Sequence, residues 1–149
     1  MLDLRDSLTR PPSPPPWLVT DILCQGQIVV LAGDPGVGKS VLAQHLAMAI
    51  AGTAPFLGRE TQRGHVCYFD EENALPDVEE YLKWTWRGQN APPLDLLEQR
   101  LHFYHFDLIR HPNRWAYMTG EVVKYHPLLV VLDTATPICN IQDENDNAE

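Results

Sequence analysis

The sequence predicts an α/β fold, a parallel sheet flanked by helices, and three observations predict it. Apolar runs recur at residues 28–32, 65–69, 101–106 and 128–132 of the 149 residues. Segments of helical periodicity separate them. A glycine-rich loop at residues 33–40 joins the first run to the first of those helices. Strands alternating with helices in this way build parallel sheets.

The elements follow in order. Residues 1–16 form a proline-rich lead-in, in which Pro11-Pro12-Ser13-Pro14-Pro15-Pro16 is a stiff, extended spacer. Trp17-Leu18-Val19 begins the folded part, and residues 17–149 are read as one domain. Ile28-Val29-Val30-Leu31-Ala32 is apolar and β-branched, the pattern of a buried parallel strand. Residues 41–51 are rich in Ala and Leu and predict a helix closed by Gly52. Residues 65–69 are apolar on both faces, as an interior strand requires. Residues 77–87 place Val78, Tyr81, Leu82 and Trp86 on one helical side, and Gly88-Gln89-Asn90 stops that helix. A short helix follows at 94–99, then the strand at 101–106. Residues 114–125 are helical, with Gly120 inside them. The strand at 128–132 ends the predicted sheet, and residues 138–149 form a polar, acidic tail.

Composition narrows the function. A hydrophobic content of 44% fits a globular protein. No stretch is long and apolar enough to predict a membrane span, and the first residues lack a signal-peptide pattern. Cys24, Cys67 and Cys139 lie far apart and suggest neither a disulfide framework nor a zinc site, so a cytoplasmic location is expected. The net charge of −9 arises entirely after residue 64, and no cluster of Lys and Arg marks a duplex-binding surface.

The loop carries the strongest chemical signal. Gly33-Asp34-Pro35-Gly36-Val37-Gly38-Lys39-Ser40 reads G-x-x-x-x-G-K-S, a phosphate-binding loop. Its glycines let backbone N–H groups turn toward phosphate oxygens. Lys39 supplies charge for the β- and γ-phosphates, Ser40 can ligate Mg²⁺, and the helix beginning near Val41 aims its positive end at the anion. Asp133 follows the apolar run 128–132, so its carboxylate falls at the carboxyl edge of the sheet, where Mg²⁺-bound water or Ser40 can donate to it. Asp70, Glu71 and Glu72 end another strand, a place suited to a general base. Asp70 and Glu71 suit a solvated, helix-capping loop equally well.

Other residues take their ordinary roles. His45 is expected as a packed or surface histidine. His102 and His105 point to opposite faces of one strand and cannot share a metal. His65 and His126 have no partner in the sequence. Trp84, Trp86 and Trp115 could stack on a base, with packing as the default. Arg59, Arg63, Arg110 and Arg114 are candidates for phosphate or interface contacts, with solvated surface as the default.

Taken together, these residues resemble a RecA-like P-loop ATPase, of the RepA-type branch of hexameric replicative helicases and related mobile-element AAA family ATPases. The likeness rests on Pro16-Trp17-Leu18-Val19, the loop with its preceding Ala32, Pro55-Phe56-Leu57-Gly58, residues 66–73, Leu132-Asp133-Thr134 and Asp143-Glu144-Asn145-Asp146-Asn147. It implies ATP and Mg²⁺ as cofactors, with Gly33 to Val41 around the phosphates and Ser40 and Asp133 on the metal. It implies Glu72 as the glutamate that polarises the attacking water. Asn145 resembles a residue near a subunit interface, although a turn role suffices for it. The resemblance further implies a homo-oligomer, a hexameric ring, acting on single-stranded DNA. In that fold a further strand lies between the loop strand and the 128–132 strand. No run for it follows Asp133, so the chain reads as the N-terminal portion of a larger ATPase with a gap in its sheet. Two alternatives stand beside this reading: a nucleotide-binding module without turnover, and a recombination or regulatory ATPase.

Overall fold

The computed structural model describes residues 4–11, 13–71, 73–89, 92–105 and 112–133. Glu72, Arg110, Cys139, Asn145 and the acidic tail lie outside the described residues.

Among the described residues ten elements follow in order. They are α1 (Leu4–Thr9), β1 (Trp17–Val19), β2 (Leu23–Cys24), α2 (Lys39–Gly52) and β3 (Val66–Asp70). The rest are α3 (Leu75–Gly88), α4 (Leu94–Arg100), β4 (Leu101–His105), α5 (Arg114–Tyr125) and β5 (Leu129–Asp133). α1 lies within the proline-rich lead-in, and its Leu4 and Leu8 are exposed. β1 and β2 pair antiparallel.

The main sheet is parallel, in the order β4-β3-β5. All five residues of β3 are buried, as expected of a strand covered on both faces. In-register parallel pairing puts matched residues on the same face. Val66 and Tyr68, with Leu101 and Phe103 of β4 and Leu129 and Val131 of β5, face α2 and α4 in one core cluster. Cys67 and Phe69 face α5 with Met118, Tyr104 and Leu132 in a second cluster. The molecule thus has three layers, helix, sheet and helix.

One predicted strand is not part of the sheet. Residues 28–32 pair with nothing among the described residues. Ile28 is 97% exposed and Val30 84% exposed. The reason is the ladder: an apolar run becomes a strand only when a neighbour takes its N–H and C=O groups. Among the described residues β5 pairs with β3 alone, and no strand lies beside its other edge to carry the ladder on to the run.

The helix after the loop also closes differently. Gly52 is its last residue, and Thr53 takes the left-handed conformation in its place. A Cβ on Gly52 would stand 2.9 Å from Cβ of Pro92. Glycine therefore serves close packing there, and the cap moves one residue on. α3 begins with Leu75-Pro76, earlier than the periodicity predicts, because proline suits a first helical turn.

Candidate functional site

Residues 33–38 leave the exposed run and turn into α2 without regular structure. Gly36 and Gly38 take φ of 79° and 92°, a region that favours glycine. Gly38 is the residue before α2, and its carbonyl accepts the first helical bond, from Leu42 N–H at 2.9 Å. No side chain caps α2, and no acid lies in its first turn. α3 and α4 differ, with Asp77 and Asp95 in theirs. The N–H groups opening α2 are thus not neutralised by an acid in that turn, which favours an anion there.

Lys39 and Ser40 open α2 and are half-buried, as is Val41. The Lys39 Nζ donates to the carbonyl oxygens of Gly33 at 2.7 Å and Asp34 at 2.9 Å. These bonds fold the loop around its own ammonium group. Val37 is exposed.

The carboxyl edge of the sheet gathers a second set of polar side chains. Asp70 ends β3, Asp133 ends β5, and the two are register partners. His105 ends β4 opposite Asp70 on the other side. All three fall on the α2 face by the alternation already described. Asp70 and Asp133 are both buried. The Tyr68 hydroxyl donates to Asp133 Oδ2 at 2.6 Å. Burial, then the neighbouring charges of Asp133 and Asp70, holds that hydroxyl protonated well above the usual tyrosine range. Asp70 accepts from the Asn73 backbone N–H at 3.1 Å and from its Nδ2. The His105 Nε2 meets the Asn73 carbonyl oxygen at 2.8 Å, so that nitrogen carries the proton.

Gln44 projects from α2 and is fully buried near the Tyr68 hydroxyl, with neither atom of its side-chain amide hydrogen-bonded among the described residues. Its position five residues beyond Lys39 is about 7.5 Å along the helix. The helix that opens at the glycine loop therefore rests on the tyrosine that holds Asp133. Asp133 takes its side-chain hydrogen bond from Tyr68 rather than from Ser40. Two carboxylates side by side on adjacent strands repel unless something positive joins them. Paired carboxylates are hard oxygen donors, the type that Mg²⁺ and Ca²⁺ take. Sequence reasoning missed Tyr68 and His105, whose places depend on strand register, and Gln44, whose place depends on how α2 packs on the sheet. Only the alternation within each strand hinted at a shared face.

Two histidines without sequence partners meet at the opposite edge of the sheet. The His65 Nδ1 and the His102 Nε2 lie 3.1 Å apart, and the His102 ring stacks on Tyr125. Burial and the neighbouring His65 lower the His102 pKa. His45 packs edge-on against Phe56, and burial lowers its pKa too. His102 and His105 fall on opposite faces of β4, as their spacing predicts. Among the described residues no group of three or more His, Cys, Asp or Glu side chains could hold a metal ion. None of the described helices is long and apolar enough to cross a membrane.

The tryptophans divide. The Trp86 Nε1 donates to the Pro92 carbonyl oxygen at 2.8 Å and packs on the first core cluster. Trp84 is exposed on the other side of α3 and lines a groove of about 680 Å³ that also reaches Gly38 and Lys39. Thr85 lines it too, with its Oγ1 buried and without a hydrogen-bond partner among the described residues. Such a hydroxyl costs about 1–3 kcal/mol while unpaired.

A family model described as an AAA domain matches residues 2–149. No curated protein matches the chain, and no solved structure does.

Proposed function

Because this chain belongs to the AAA domain family, a family of nucleotide-binding ATPases, we propose that it binds ATP with Mg²⁺ at residues 33–41 and hydrolyses the γ-phosphate. The observation that carries the reading is the left-handed glycine turn opening α2, in a helix whose first turn carries no acid. Backbone N–H groups of the loop hold the phosphates. Lys39 exchanges its bonds to Gly33 and Asp34 for phosphate oxygens and lends its charge to the transferring group. Ser40 and Asp133 hold Mg²⁺, which neutralises charge on the phosphates when bound. Tyr68 keeps Asp133 in place by donating to it, and Gln44 packs α2 against that pair. Glu72 orients the attacking water and accepts its proton. The sequence resemblance supports coupling of this reaction to DNA replication or unwinding on single-stranded DNA, by a hexameric ring of copies. A recombination or regulatory ATPase would use the same site.

One observation favours a second reading, nucleotide binding without turnover. The run leading into the loop lacks ladder partners among the described residues, so the loop is anchored through α2 alone. Phosphate release and ATP binding separate the readings. Wild type should release phosphate, Glu72→Gln should bind ATP but release at least tenfold less, and Lys39→Ala should lose binding. Equal release from wild type and Glu72→Gln leaves only the binding module. ATP binding that survives Lys39→Ala removes both.

A further inference from the structure

We propose that the groove between α2 and α3 seats the base of the nucleotide whose phosphates the loop holds. The proposal rests on the phosphate-binding reading of residues 33–40 and adds the residues that recognise the other end of the ligand.

Continuity carries the argument first. The same groove is lined by Gly38 and Lys39 at one end and by His45, Trp84 and Thr85 farther along. From Lys39 to His45 is about 9 Å of helix, the scale of a nucleoside. Its volume of about 680 Å³ falls within the range of small-molecule sites.

The chemistry of the lining comes second. Leu31 and Leu42 give the groove apolar walls. Trp84 is 54% exposed, so its indole offers a face for a planar ring to stack on. Its neighbour Tyr81 contacts it at 5.7 Å, tilted rather than stacked, and leaves that use open. Thr85 is buried within the same groove, and its hydroxyl has no partner among the described residues. A heteroatom on a base edge would satisfy it. Burial favours the neutral His45 ring, which offers one donor and one acceptor. Among the described residues no carboxylate lines the groove, so none of them repels a polyphosphate ligand. An apolar cleft holding a stacking face and a few unpaired polar groups is how proteins recognise bases.

Binding of MgATP and of magnesium tripolyphosphate, which has phosphates but no base, tests the assignment by calorimetry. Trp84→Ala should weaken MgATP about tenfold and leave tripolyphosphate within twofold. Trp84→Phe should restore most of the ATP affinity. Thr85→Val, which keeps the shape and removes the hydroxyl, should weaken ATP several-fold and tripolyphosphate not at all. Lys39→Ala should weaken both ligands, and that arm reports on the loop independently. If Lys39→Ala weakens both while the Trp84 and Thr85 variants change neither, the base lies elsewhere and the loop reading stands. If Trp84→Ala weakens both ligands equally, Trp84 supports the loop and recognises no base. Circular dichroism of each variant confirms that it is folded.

Discussion

Asp133 depends on one hydroxyl. Tyr68 gives it the only side-chain hydrogen bond it has among the described residues, from a position buried beneath α2. Tyr68→Phe keeps the ring and leaves a buried carboxylate short of a donor. It should cost about 1–3 kcal/mol in urea unfolding, and a loss below the error of that measurement would show that water replaces the hydroxyl. The His65–His102 pair makes a second prediction. The His102 pKa is lowered in the folded chain, so the unfolded chain binds the proton more readily. The pair's contribution is therefore complete above the unfolded value of about 6.5 and is lost as pH falls below it. Glu121 opposes this shift, while His65 and Lys124 reinforce it. His102→Gln should flatten the decline in thermal midpoint between about pH 7 and 5, and an unchanged slope would exclude the pair as its source. At this scale the turn of the glycine loop into α2 and the place of Asp133 at the end of β5 were legible, because each is written as a contiguous string. Tyr68, Gln44 and His105 were not, because each acts through a residue far away in the chain.

Elements were legible where a single period dominates. β3 lies one residue later than its apolar run suggests, and α5 matches its predicted span. The run at 28–32 misled, since an apolar stretch carries no record of whether a neighbouring strand exists. The end of α2 misled for a packing reason. Gly52 meets Pro92, whose approach no local pattern encodes. Replacing Gly52 by Ala would gain up to about 1 kcal/mol in helix propensity, but the new methyl would stand against the rigid proline ring. We expect a net loss of about 1–2 kcal/mol, read from chemical denaturation. A more stable variant would mean that the seam between α2 and α4 yields without strain.

The whole molecule joins a fully buried central strand to flanks of unequal cover. α2 and α4 pack one face of the sheet and α5 the other, while residues 28–31 expose a continuous apolar stripe. Such stripes drive association. Val30 is exposed, so Val30→Lys should change stability by less than about 0.5 kcal/mol and reduce light scattering at high protein concentration. A large loss of stability would show that the run is buried in solution. Fold class was legible at this scale because alternation of strand and helix is a property of the whole string. The strand order was not, since it depends on which edges meet. Both core clusters and Asp70 run through the five residues of β3. Amide protons of that strand should trade for deuterium only when the entire chain opens. Asp70 consequently has no local melting route, and it keeps its station for the lifetime of the native state.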